Sequence, residues 1–206
     1  MTFPDKRPTD IAAFAEAYFQ NVAKAAGSVD RARIAAAAAI VEDAHRRGSA
    51  IFACGNGGSA AIANHLMCDH CKGAATDTAL RPRVHSLSAN IEIITAIAND
   101  VSYADIFAYQ VRNLARPGDV LVTISSSGDS ENIVRAADVA ASGGMKVIAL
   151  TGFDGGRSAR IADVNLHVAA DNYGVIEDVH QSLMHILAQW LRLAHMDPAL
   201  IPQRKF

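Results

Sequence analysis

Apolar residues change their spacing once along the chain, near Gly48. Over residues 10–47 the sequence is rich in alanine, has no internal proline and sets Ile11, Phe14, Tyr18 and Val22 at helical spacing. That predicts two helices broken near Gly27-Ser28, with Ser28 capping the second and Arg47-Gly48 closing it with a cationic last turn and a glycine stop. Beyond Gly48 the pattern becomes short apolar runs separated by glycine and serine. Five recur, at residues 50–54, 84–87, 120–124, 146–150 and 164–168, and they read as buried parallel strands. Stretches of helical period at 61–68, 130–141 and 157–162 supply right-handed crossovers between most of them. A long last helix is predicted from about Val175 to His195, where Asp197-Pro198 stops it. The class implied is α/β, with no solenoid repeat and no low-complexity linker.

The 206 residues, 50% of them hydrophobic, are enough for one large domain over 1–206, a helical segment (1–47) preceding an α/β core (48–195). With 19 Lys plus Arg against 21 Asp plus Glu, the net charge of -2 leaves no basic footprint for a phosphate backbone, so direct nucleic-acid binding is not expected. Cys54, Cys68 and Cys71 are too few, and odd in number, for a disulfide framework, which favours a reducing compartment. The first eight residues are polar and no 18-residue apolar run follows, so neither a signal peptide nor a membrane span is predicted and the cytoplasm is the expected location.

Two loops at strand ends carry the first chemistry. Residues 50–54 lead into Gly55-Asn56-Gly57-Gly58-Ser59 and a helix, an arrangement that aims free backbone N–H groups at an anion. Gly55-x-Gly57-x-x-Ala60 fits a loose dinucleotide fingerprint, but no acidic residue ends the next strand to hold a ribose, and no lysine follows the glycines as a P-loop requires. The second loop, Ser125-Ser126-Ser127-Gly128-Asp129-Ser130, also runs from strand to helix and offers four hydroxyls. One such loop alone is more often a cap and a turn. Two at the carboxyl ends of adjacent strands, with little positive charge nearby, suit a single phosphate monoester better than a triphosphate and its metal.

A second constellation lies on two helices. His65 and Asp69 are four residues apart and share a face, as do Glu177, Gln181 and His185, with His180 three residues from Glu177. Interconverting a ketose and an aldose needs a base that moves a proton between adjacent carbons and an acid or Lewis acid that polarises the carbonyl, and these groups can supply both. Cys68-x-x-Cys71 lacks a second pair, and Cys68 reads as a buried cysteine on the apolar course of its helix. Lys72, Arg81 and Arg83 read as a solvated loop.

Four motifs in order, Gly55-Asn56-Gly57-Gly58-Ser59, Ala96-Ile97-Ala98-Asn99-Asp100, Gly118-Asp119-Val120-Leu121 with the serine loop, and Leu150-Thr151-Gly152-Phe153-Asp154-Gly155-Gly156, resemble the phosphoheptose isomerase group of sugar isomerase (SIS) domain proteins over residues 48–193. The resemblance implies a five-stranded parallel sheet between helical layers, a homotetramer, and isomerisation of a phosphorylated ketose such as sedoheptulose 7-phosphate on the way to a lipopolysaccharide or capsule precursor. It assigns phosphate contacts to Ser59, Ser125, Ser127 and Ser130, with Gly57, Gly58 and Ser126 in the same loops, and turns Asn56, Asn99 and Asp100 toward the sugar. His65, Asp69, Glu177 and His185 match positions that hold zinc in some relatives, where a glutamate stands at Asp69 and a glutamine at Glu177. On that pattern Asp69 and His185 exchange protons through an enediol, while His65 and Glu177 orient them or join a zinc site. The rival implication is a non-catalytic phosphosugar-binding or replication-initiator-associating SIS protein, which would not need two histidines and two carboxylates.

Overall fold

A computed structural model of the chain describes residues 3–206. Two helices come first, α1 (Ile11–Ser28) and α2 (Arg31–Arg47). Asp10 caps α1 by accepting from Ala13 N at 2.8 Å, and Asp30 caps α2 by accepting from Ala32 N at 2.8 Å. Ser28 is therefore not the expected cap. It ends α1, its hydroxyl donating back to Ala25 O, because an acidic residue two positions on does the capping. Gly48 closes α2 with φ of 68°, the left-handed stop read from the sequence.

The sheet follows as β1 (Ile51–Gly55), β2 (Val84–Ser86), β3 (Val120–Ser125), β4 (Lys146–Thr151) and β5 (Val164–His167). All neighbours pair in parallel, in the order β2-β1-β3-β4-β5. Between the strands run α3 (Gly58–Cys68), α4 (Ile91–Asp100), α5 (Ala108–Leu114), α6 (Glu131–Ser142) and α7 (Gly156–Ile161), and α8 (Tyr173–His195) follows β5. The sequence pattern did not predict α4 or α5. Every residue of β1 and β3 is buried, as strands covered on both faces require. Alternate residues serve two cores. Ile51, Ala53, Val120, Val122 and Ile124 pack with α2, α3 and α8, whereas Phe52, Cys54 and Leu121 pack with Ile97, Phe107, Val111 and Ile133 on the opposite face. The result is a sheet between two helical layers.

The order of strands reverses between β1 and β3, whose carboxyl ends lie side by side. A crevice at such a switch point is where open parallel sheets accept ligands, and both singled-out loops emerge there. No described helix is long and apolar enough to cross a membrane.

Candidate active site

The loop after β1 turns through Gly57, at φ of 54°, directly into α3. A Cβ on Gly55 would overlap the Ser59 carbonyl, so the tight return needs glycine. The loop after β3 is fastened by its own backbone: Gly128 N donates to Ser125 O at 3.0 Å, and Gly152 N donates to Ser126 O at 2.8 Å. Gly128 takes φ of 63° and lies so close to Gly155 that a side chain would strike its carbonyl. Neither α3 nor α6 receives a side-chain cap, so their first N–H groups stay available at the crevice. Asn56, Ser59, Ser125, Ser126, Ser127, Ser130, Tyr173 and Glu177 line a cleft there. Asn56 is held by Asn132, its amide nitrogen donating to Asn132 Oδ1 at 2.9 Å, and by the Tyr103 hydroxyl at 3.0 Å.

Among the described residues no lysine or arginine lines this cleft. Arg157, the nearest cation in sequence to the Gly155-Gly156 turn, is bound to Asp129 and Glu131. The charged group present is Glu177, whose carboxylate occupies the space where a Gly58 side chain would stand. Burial, helped by Asp178, pushes its pKa above the usual carboxylate range.

The second group lies farther along α8. His185 Nδ1 is 2.7 Å from Asp69 Oδ2, and His65 Nε2 is 3.2 Å from Asp69 Oδ1. Their donor atoms all fall within 4.8 Å of one another, two imidazoles and a carboxylate from different elements. Asp69 opens a π-helical turn, Asp69–Ala74, that continues α3 with a wider helical pitch, a local form often found at functional sites. This donor set fits a tetrahedral metal such as zinc with three protein ligands and one open position.

Glu177, expected among these ligands, stands apart from them. It precedes His185 by eight residues, about 12 Å along the helix axis, and so faces the serine cleft while His185 faces Asp69. Asn99 and Asp100 also lie away from the serine cleft. Both are exposed at the end of α4, Asn99 donating to Asp100 Oδ1 at 2.7 Å, and Asp100 borders a different cleft with Ile93, Ile97, Tyr109 and Leu114. Cys68 is exposed rather than buried, because the inward face of α3 is made by Ile62, Ala63 and Leu66. Neither Cys68 nor Cys71 joins the metal-capable group.

Gln181, Tyr103 and Tyr173 are contacts that sequence reasoning did not assign. Gln181 had a signal, since it lies four residues from both Glu177 and His185 on one helical face. Its amide sits 3.0 Å from a ring nitrogen of each histidine.

The profile of the SIS domain matches residues 16–152. A phosphoheptose isomerase of Alteromonas mediterranea is 38% identical over 181 residues, spanning 86% of this chain and 88% of that protein. The chain belongs to the SIS-domain family, in its phosphoheptose isomerase group. Solved structures agree. Phosphoheptose isomerase from Francisella tularensis superposes with a TM-score of 0.82 at 32% identity, covering 88% of this chain and 96% of that one. The Neisseria gonorrhoeae enzyme gives 0.79 at 34% identity, covering 86% and 96%. SIS architecture accounts for the five-stranded parallel sheet and for the loops at its switch point.

Proposed function

We propose that this SIS-domain protein isomerises a ketose phosphate to an aldose phosphate, with sedoheptulose 7-phosphate, or a ketose of similar length, as substrate. The observation that carries the reading is the placement of two chemically different groups along one helix. Toward the Tyr173 end of α8 the uncapped serine cleft suits a phosphoryl group, and about 12 Å along the helix axis from Glu177, at its edge, lies His185 with His65 and Asp69. An extended seven-carbon chain with its phosphate is roughly 10 Å long, given C–C bonds near 1.5 Å, the same scale as that separation once the side chains at each end reach toward it. Relatives 38% identical carry the name phosphoheptose isomerase, which supports the same reading.

Ser59, Ser125, Ser127 and Ser130, with the free N–H groups of α3 and α6, hold the phosphate, and Gly57, Gly58 and Ser126 shape that cradle. Asn56 faces the first hydroxyls. Glu177, whose carboxyl is more readily protonated than an ordinary one, repels the phosphoryl group less than a typical carboxylate would. His65, Asp69 and His185 would hold zinc, which supplies a Lewis acid at the carbonyl. Asp69 takes the proton from C1 and returns it to C2, and His185 carries a proton from the C1 hydroxyl to the C2 oxygen, so that the carbonyl passes from C2 to C1 through the enediol. The product serves a surface-polysaccharide precursor.

The protein acts as one SIS domain in the cytoplasm, a location that three free cysteines support, and as a homotetramer without nucleic acid. Asn99 and Asp100, exposed and outside the protomer's cleft, would meet the sugar only in the site of a neighbouring subunit. Screening phosphorylated ketoses for aldose formation, before and after chelation, tests the assignment. Turnover of a seven-carbon ketose phosphate that vanishes with chelator and returns with zinc is expected. Binding of sugar phosphates without turnover, under both conditions, would replace the isomerase with a binding module.

A further inference from the structure

His65 stands on α3 and His185 on α8, and one side-chain amide joins them. Gln181 Nε2 lies 3.0 Å from His65 Nδ1 and 3.0 Å from His185 Nε2. The opposite nitrogens face one carboxylate, His65 Nε2 at 3.2 Å from Asp69 Oδ1 and His185 Nδ1 at 2.7 Å from Asp69 Oδ2. Four side chains thus close a ring. The imidazoles meet edge to face, at 87° with centroids 4.9 Å apart, and Gln181 and Asp69 each bridge the two rings.

Donor and acceptor rules decide where the protons lie. An amide nitrogen only donates, with two hydrogens, and an ionised carboxylate only accepts. With both imidazoles neutral, every contact in the ring is satisfied by one pair of tautomers: His65 protonated on Nε2 and His185 protonated on Nδ1. Those two protons point at Asp69 and block the lone pairs that a cation beside Asp69 would need. To offer these lone pairs, each ring must move its proton to the nitrogen that faces Gln181. Gln181 must then present its oxygen, which can accept from both rings. A half turn about its last torsion does this without moving the side chain.

We propose that Gln181 is a positioning residue that ties His65 to His185 and turns its amide over when a cation is held, so that both rings keep a hydrogen-bond partner in either tautomeric state. The inference rests on the metal reading given above. It concerns a residue outside the ligand set, and orienting partners of this kind typically change metal affinity by about 10–100-fold.

Two variants separate this role from simple packing. Gln181→Leu keeps bulk but removes both donor and acceptor, and Gln181→Glu keeps two oxygens that accept from both rings without turning. The side chain is only half buried, so neither change should prevent folding, which melting curves check. In metal-free protein, nitrogen-15 spectra of the imidazoles should show His65 Nδ1 and His185 Nε2 as hydrogen-bonded acceptors, and Gln181→Leu should return both to the shift of an unbonded acceptor. In competition with a chromophoric chelator, Gln181→Leu should bind zinc about 10–100-fold more weakly than wild type, and Gln181→Glu at least as tightly as wild type. A Leu variant within about threefold of wild type overturns the proposal, as does a Glu variant weakened as much as the Leu variant. Wild-type protein that takes up no zinc would refute the metal reading and the amide turn with it. The tie between the rings would then stand on the metal-free spectrum, and unchanged shifts in Gln181→Leu would refute that too.

Discussion

At Glu177 a carboxyl group is pressed against Gly58, the first residue of α3, in the space a side chain would fill. Alanine at Gly58 would displace that carboxyl, which ends a flexible side chain, while adding up to about 1 kcal/mol of helix propensity. Gly58→Ala should therefore melt no lower than wild type yet bind sugar phosphate about tenfold more weakly, the loss of about one charge-assisted contact, as calorimetry would read. His180 poses a different residue-scale problem. It is fully buried, donates Nε2–H to Thr151 O at 3.2 Å, and its Nδ1 has no partner among the described residues. Burial pushes its pKa down to about 4 from 6.5. Because the folded state takes up the proton less readily than the unfolded chain, its contribution is complete above about pH 6.5 and is lost as pH falls toward about 4. Denaturant titrations should show stability falling with acid across that window. His180→Gln, which keeps a donor, should flatten the slope by about 1.4 kcal/mol per pH unit.

Among elements, the strand-to-helix loops at the switch point of the sheet line the candidate cleft. The serine loop after β3 and the glycine turn after β4 touch backbone to backbone, with Gly152 N on Ser126 O at 2.8 Å and Ser158 N on Gly128 O at 2.8 Å. That closeness explains glycine at 128, where the left-handed φ of 63° and the Gly155 carbonyl both exclude a side chain. Gly128→Ala should cost at least about 1–2 kcal/mol from the backbone conformation alone, with a matching drop in melting temperature and loss of phosphate binding. Helix α8 acts as a ruler. Tyr173 and Glu177 reach the serine cleft, Gln181 the two imidazoles and His185 the carboxylate of Asp69, at successive turns. Helix α4 escaped the sequence reading because its apolar residues run together, Ile91, Ile93 and Ile94 hiding the period and only Ile97 of that helix being buried, and α5, seven residues long, is too short to show a period.

In the protomer as a whole, α1, α2 and α8 leave an apolar face uncovered. Ala26, Val29, Ile34, Ala38, Leu183, Ile186 and Trp190 line an apolar groove there, and Trp190 and Ile186 remain 57% and 48% exposed. Contiguous apolar surface of this kind marks an interface. Light scattering should give a mass near four times 21.8 kDa, and Trp190→Glu should lower it. A monomer at micromolar concentration would contradict the tetramer and any part for Asn99 and Asp100 in a neighbour's site.

The sequence determined by itself whatever is local. Apolar runs flanked by glycine and serine specify five buried strands, each of them present with ends shifted by no more than about two residues. The glycine and serine loops, the αL stop at Gly48 and the shared faces of His65 with Asp69 and Gln181 with His185 follow from helical and turn geometry in the same way. Distances between groups remote in sequence were decided only by the tertiary structure. The two helix faces meet across 116 residues of chain because α3 and α8 pack on the same side of the sheet, and their spacing there brings Asp69 to His185 and Gln181 to His65. The same packing leaves Glu177 two helical turns from His185, at the cleft instead of the ligand group, since a rigid helix fixes the separation of its own residues while only its neighbours decide which of them share a site.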